Sequence, residues 1–251
     1  MGLTSAALTV LAGWLIGATG IGGVLVVPML IGLEGVELSQ AIAASSLAFA
    51  LPGAAALWRL RRSGKAKERS AENHFSVIAV VLGALPGALL GAWLVHQVDV
   101  SMLLAGLAVL ALFSGVRGLL SKPALLAMSL PIPVPLALAL GALVGLGSGL
   151  TGTGGPVLLV PLLMALRQPL LGVVVAAQAI QLPVALSASL AHASSGTLDW
   201  SLALSLGLLL LLGSLLGQWS TSRIQTHHLQ KLVSVLLIAC GLWFAWRIFH
   251  G

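Results

Sequence analysis

Charge is what this sequence has least of. Only 7% of its 251 residues are Asp, Glu, Lys or Arg, while 59% are apolar, and the mean hydropathy is +1.10. A soluble domain carries roughly 25% charged residues. Eighteen charges cannot coat a globule of this size, so a soluble fold is excluded. Disorder is excluded too, because disordered chains are polar and highly charged. Cysteine is almost missing. Cys240 stands alone in an apolar run, which leaves neither an intrachain disulfide nor a cysteine-based metal site. There is no HExxH and no ligand cluster, so a metal enzyme is disfavoured and no cofactor is expected.

What is present is apolar sequence in long runs: Leu3–Leu33, Leu38–Trp58, Phe75–Val95, Met102–Leu120, Val134–Leu166, Leu170–His192, Leu202–Trp219 and Leu229–Phe249. At about 20 residues per span, the chain allows roughly eight membrane segments and no separate soluble domain. The fold class expected is all-α and polytopic. The first run lacks a basic n-region and a small-residue cleavage pattern, so it does not read as a removable signal peptide.

Two runs, Leu3–Leu33 and Val134–Leu166, are too long. As straight helices they would reach about 46–50 Å, against a hydrocarbon core of about 30 Å. Both carry glycines in the middle: Thr19-Gly20-Ile21-Gly22-Gly23 in the first, Thr151-Gly152-Thr153-Gly154-Gly155 in the second. The two motifs stand half a chain apart, and Gly13 and Gly17 fall on Gly145 and Gly149 at the same offset. Gly87 to Trp93 resembles Gly213 to Trp219, and Pro52 in AFALPGA resembles Pro183 in IQLPVA. These matches predict an internal duplication: residues 1–122, a proline-containing linker at 123–133, and residues 134–251.

A net charge of +6 and a pI near 10.8 raise nucleic acid as a partner. The distribution argues against it. Eight of the charges lie between Arg59 and Glu72, and the rest are single residues at the ends of runs. A lone basic loop on an apolar chain reads as a topology signal that puts Arg59–Glu72 in the cytoplasm. A lipid head-group contact is the alternative. If each over-long run crosses the bilayer once, Lys and Arg divide nine to three between the sides. If each enters, turns at TGxGG and leaves on the same side, they divide eleven to one, with only Arg247 misplaced. The positive-inside rule favours the second count. It leaves three full spans per half, an odd number, so the halves would be inverted, a recurring transporter plan.

TGxGG in apolar sequence is the main chemical signal. Broken backbone inside a bilayer is tolerated only where protein or a water-filled cavity covers it. The helix after the break offers unpaired N–H groups and the positive end of its dipole, an anion site without a charged side chain. Thr19, Thr151 and Thr153 can add hydroxyls, and Pro156 suits the first turn of the following helix. Close packing through small residues is the alternative, and it is the better account of the GxxxG pairs at Gly13/Gly17, Gly145/Gly149 and Gly87/Gly91. No strand precedes the motif and no Gly-Lys-Ser/Thr follows, which disfavours a nucleotide loop.

Other polar residues lie inside spans. Ser45 and Ser46 precede Pro52, while Gln178 and Gln181 precede Pro183 and share a helix face. Such groups either bond a neighbouring helix or line a polar cavity. The histidines are scattered at run ends, and only His192 is placed to touch a permeation path. Ser148, in Gly-Ser-Gly, lacks the G-x-S-x-G spacing of a serine hydrolase. No Asp, Glu, Lys or Arg sits centrally in a long run, so a proton relay on a buried carboxylate is disfavoured. An anion leaving an inside-negative cell gains about 2.3 kcal/mol per charge per 100 mV, so passive electrogenic efflux is workable.

The segments Gly17-Ala-Thr-Gly-Ile-Gly-Gly-Val-Leu-Val-Val-Pro28 and Gly149-Leu-Thr-Gly-Thr-Gly-Gly-Pro-Val-Leu-Leu-Val-Pro161 resemble the paired glycine-rich signatures of the TauE/SafE family of sulfite and organosulfonate exporters. Ser195-Gly-Thr-Leu-Asp-Trp200 resembles the family's Gly-x-Ile-Asp-Trp turn. The resemblance spans nearly the whole chain. It implies a bacterial-type inner-membrane permease for small sulfur-containing anions, with substrate positions on the two TGxGG segments: Thr19, Gly20, Gly22, Gly23, Thr151, Gly152, Thr153, Gly154 and Gly155. The polar positions Ser45, Ser46, Gln178 and Gln181 would complete the cavity. The chain departs from the family pattern at Gln178, Gln181 and Ser195. The partners expected are a small anion and the lipid bilayer, with no nucleic acid and a homodimer left open. A permease for another solute, a membrane-embedded enzyme and a non-transporting assembly subunit are the competing readings.

Overall fold

The computed structural model describes residues 2–20, 22–62, 76–95, 97–120, 131–166, 168 and 170–220, with 231, 234–235, 238–239, 241–246 and 248. Most of the basic loop, most of the 123–133 linker, His74, His96, Arg167, Arg223, His227, His228, Cys240, Arg247 and His250 lie outside the described residues. Ten α-helices are delimited among the described residues: α1 Leu3–Thr19, α2 Val26–Glu34, α3 Leu38–Ala48, α4 Ala50–Arg62, α5 Val77–Leu94, α6 Val100–Leu120, α7 Val134–Thr151, α8 Pro156–Ala165, α9 Leu170–Ser194 and α10 Trp200–Ser220. A 3-10 turn, Gly23–Leu25, precedes α2. The described residues from Lys231 onward are helical, and no strand occurs among the described residues.

Four of these stretches are long and apolar enough to cross a bilayer: Leu38–Arg59, Val77–Leu94, Val134–Thr151 and Trp200–Ser220. Local chemistry sets their ends. The Ser76 hydroxyl accepts the Ala79 N–H at 3.2 Å and caps α5. Asp199 Oδ1 accepts the Leu202 N–H at 3.0 Å and caps α10, which explains the Asp-Trp pair in the preceding turn. Pro133 and Pro135 open α7, where a missing N–H costs nothing. Pro52 lies within α4, so the carbonyl of Ala48 has no N–H four residues on. Helices α3 and α4 therefore join at Phe49 with that one hydrogen bond missing, while Phe49 itself keeps helical dihedrals (φ −70°, ψ −12°).

Two seams hold the molecule together. The α5–α7 pair is the most extensive helix contact, and α1–α10 is the next. In both, carbonyl oxygens of one helix sit where a glycine Cβ of the other would stand. A methyl group on Gly17 would fall on the Ser214 carbonyl, and one on Gly149 would lie 2.5 Å from the Ala88 carbonyl and 2.7 Å from the Ala92 nitrogen. The contacts advance in the same sense along both helices, Gly13 to Leu210 then Gly17 to Ser214, and Gly145 to Ala84 then Gly149 to Ala88. Each pair is therefore parallel. In the α1–α10 seam, Trp14 Nε1 also donates to Ser220 Oγ at 2.9 Å.

The chain reverses after α1. The Gly2 N–H donates to Glu34 Oε1 at 2.8 Å, and Thr9 Oγ1 meets Met29 Sδ at 3.4 Å. So α2 runs back along α1, and its end returns to where α1 began. The Ser5 hydroxyl and the Gly2 N–H hold the Glu34 carboxyl below its ordinary value. Farther along, Ser187 on α9 donates to the Leu85 carbonyl on α5 at 2.7 Å. Replacing it by alanine removes one buried hydrogen bond, worth about 1 kcal/mol. Ser187→Ala is expected to lower Tm by about 2–4 °C in a thermal-shift assay, with the oligomeric profile unchanged.

Candidate site at the meeting of two helix breaks

Helices α1 and α7 end alike. Gly20 (φ 78°) and Gly152 (φ 63°) take the left-handed conformation, and their N–H groups close onto Ile16 O and Ser148 O, each at 2.8 Å. Beyond Gly152 the chain makes two more left-handed turns, Gly154 (φ 81°) and Gly155 (φ 90°), before Pro156 opens α8. A side chain in that conformation costs about 1–2 kcal/mol. In the first segment, Gly22 tucks against the α1 backbone at Ala12 and Ile16, and the 3-10 turn follows directly.

The two turns touch. Gly23 packs so tightly on the Thr153 carbonyl that a Cβ there would overlap the oxygen. Gly20, Gly22, Gly23 and the whole stretch 151–155 are buried. Polar side chains gather on the second turn. Thr151 Oγ1 donates to Gly147 O at 2.6 Å and lies 3.0 Å from Thr153 Oγ1. With its proton on Gly147, Thr151 is the acceptor in that pair and Thr153 the donor. Ser45 Oγ stands 3.0 Å from both Ile42 O and Gly152 O, so it fastens α3 to the second turn.

The expected site residues divide accordingly. Ser45, Thr151, Gly152, Thr153, Gly154 and Gly23 form one contiguous group. Gly155 faces α9, with Ile180 Cγ2 3.4 Å from where its Cβ would stand. Ile180 lies between Gln178, which is half-buried, and Gln181, which is buried. Ser46 is buried at 3% exposure, and its hydroxyl has no hydrogen-bond partner among the described residues. Gly20 has no neighbour among the described residues within 4 Å of its Cβ position. The side chain of Thr19 is not among those described.

Two residues of this region were not among the expected site positions. Ser148, at 2% exposure, sits one turn before the break, and its Oγ also lacks a hydrogen-bond partner among the described residues. Buried hydroxyls are almost always bonded, so two orphans close to one backbone break are unusual. Phe49, fully buried, sets its ring against Gly23 on one side and Gly154 on the other. Neither had a sequence signal beyond standing near a glycine or proline cluster.

The chemistry available is that of neutral donors. Backbone turns and serine and threonine hydroxyls meet there, with no ionisable side chain in the contiguous group. Among the described residues no three His, Cys, Asp or Glu are grouped to hold a metal. His192 is buried at the end of α9, where its carbonyl accepts the Thr197 N–H at 3.3 Å.

A chain that is helical throughout its described residues, with several bilayer-length apolar helices and a group of buried hydroxyls beside a backbone break, is an integral membrane protein of the transporter class. The chain belongs to the sulfite exporter TauE/SafE family, which it matches over residues 5–244. No curated protein and no solved structure matches the chain.

Proposed function

We propose that this protein exports small sulfur-containing oxyanions, such as sulfite or organosulfonates, across the bacterial-type inner membrane. The anion would sit near the midplane, where the two helix breaks meet. The observation that carries this reading is the contact of Gly23 with the Thr153 carbonyl: two buried, glycine-built turns meeting among uncharged donors. The N–H groups of Gly22-Gly23 and Gly154-Gly155 would supply the positive ends of short dipoles. The Ser46 and Ser148 hydroxyls, which have no hydrogen-bond partner among the described residues, would donate to the ligand, and Thr153 can turn its own proton toward it.

Other contacts support a membrane placement. The Gly2–Glu34 bond supports a first segment that enters and leaves on one side. In the duplicated frame α1 corresponds to α7, and α5 to α10. Each half thus lends one helix to each seam, and the seams repeat residue for residue: Gly17 on Ser214 answers Gly149 on Ala88. This exchange supports two inverted repeats related by a two-fold axis in the membrane plane. The basic loop would then face the cytoplasm, as the eleven-to-one division of Lys and Arg favours.

The test is flux from proteoliposomes loaded with sulfite. Efflux should rise with protein, be competed by organosulfonates, and follow an imposed membrane potential. Ser148→Ala and Ser46→Ala should each reduce it about tenfold, the effect of about 1.4 kcal/mol. Efflux that responds to neutral or cationic solutes instead, or no efflux of any solute, would reject the reading in favour of another permease or an assembly subunit.

A further inference from the structure

We propose that Phe49 is the gate and size filter of this permeation path. The inference rests on the transport reading above and adds the residue that opens and selects. The ring is 0% exposed and spans the junction of the two turns. Its Cζ lies 2.8 Å from where a Cβ on Gly23 would stand, and its Cγ and Cδ2 lie 2.9 Å from the equivalent point on Gly154. The slot exists only because both flanking residues are glycine. A ring without a hydrogen-bonding group thereby lies against both turns beside the Gly23–Thr153 contact, and an anion reaching that junction would have to displace it.

The two-fold counterpart argues for more than core packing. In the register that lays Pro52 on Pro183, Phe49 corresponds to Ile180. Each side chain packs on the last glycine of its own half's turn, Phe49 on Gly23 and Ile180 on Gly155. The larger ring goes further and reaches Gly154 of the opposite half. One half therefore carries a side chain that bridges both turns, where an aliphatic residue suffices in the other.

Phe49 is also placed to move. It lies between α3 and α4, where Pro52 leaves the Ala48 carbonyl without its helical donor. Gly53, next along, packs on the backbone nitrogen of Leu182, 2.8 Å from its own Cβ position, so the two proline-bearing segments touch. A change of bend at Phe49 would withdraw the ring from the slot without breaking a hydrogen bond of its own side chain.

The experiment measures efflux of sulfite, methanesulfonate and butanesulfonate from proteoliposomes containing the wild type, Phe49→Ala, Phe49→Leu, Phe49→Trp or Ile180→Ala. Phe49→Ala should raise the butanesulfonate-to-sulfite ratio about tenfold or more, with Phe49→Leu in between. Phe49→Trp should stop flux of all three in protein that still elutes as a folded species. Ile180→Ala removes a comparably buried side chain and should leave the ratio at the wild-type value. If Phe49→Ala does not fold, the leucine and tryptophan variants carry the test. A ratio unchanged in the folded Phe49 variants, or shifted equally by Ile180→Ala, overturns the gate while leaving the transport reading intact. No flux of any anion by the wild type overturns the transport reading itself.

Discussion

Gly149→Leu is expected to abolish recovery of folded protein. In the α5–α7 seam the two backbones touch with no side chain between them, and the atoms facing Gly149 are the Ala88 carbonyl and the Ala92 nitrogen. Overpacking a core costs about 1–3 kcal/mol when side chains can shift. Here no flexible side chain stands in the way to shift, so the helices must part over at least one turn. Dispersion and close backbone approach are the forces that hold helices together in lipid, where the hydrophobic effect no longer favours association. Separating them removes most of what the seam contributes. Gly17→Leu should do the same to the α1–α10 seam, where the Ser214 carbonyl takes the corresponding place. Gly106→Leu on α6, with nothing among the described residues within 4 Å of its Cβ position, should be recovered at wild-type yield. Size-exclusion profiles and thermal midpoints in detergent measure all three. Normal yield and Tm for Gly149→Leu would mean that the seam is not as close as the structure has it.

These seams also show how far the sequence could be read. The GxxxG pairs named from spacing alone, Gly13/Gly17, Gly145/Gly149 and Gly87/Gly91, all lie in the two seams, because a four-residue period puts both glycines on one helix face. Which helix each would meet was not legible. Gly17, near the start of the chain, finds Ser214, near its end, and no local pattern encodes a partner at that distance. The ends of α1 and α7 fall at Thr19 and Thr151 because a left-handed glycine follows each, and that much is written in the chain.

The site was legible in part. Glycine and threonine at the turns are marked by their composition. The roles of the hydroxyls are not, because they depend on which protons are already spent. Ser45 looks equivalent to Ser46 in sequence, yet Ser45 is tied to Ile42 and Gly152 while Ser46 has no partner among the described residues. Ser148 drew notice only for a hydrolase spacing it lacks. Phe49 reads as one more apolar residue in AFALPGA, and its position depends on two distant glycines, Gly23 before it and Gly154 after it. The polar character of the two turns is also unequal. In the proposed duplicated frame, Ser148, Thr153, Ser45 and Ser46 have Ile16, Ile21, Ala176 and Ala177 as their counterparts. Under the proposed duplication, the glycines recur in both halves while the hydroxyls gather around one turn.

That inequality makes the second turn the more sensitive to change, and Gly154→Ala should show it. Two costs combine there. At φ 81° alanine is strained by about 1–2 kcal/mol. Its methyl group would also lie 2.9 Å from the Phe49 ring, closer than carbon atoms approach. The strain and the contact both displace the turn that carries Thr153. A misplacement of about 1 Å at a site that orients its ligand can cost about a hundredfold, so sulfite flux should fall by about that factor. Gly20→Ala separates the terms. It has the same backbone strain at φ 78° but no neighbour among the described residues within 4 Å, so its loss should be far smaller. Phe49→Leu on the Gly154→Ala background removes the ring the methyl group meets and should restore part of the flux. Residues in contact couple by about 0.5–3 kcal/mol in such cycles. Equal losses for Gly20→Ala and Gly154→Ala, with no recovery in the double variant, would mean that backbone strain alone governs the turn. The ring would then have no part in positioning it.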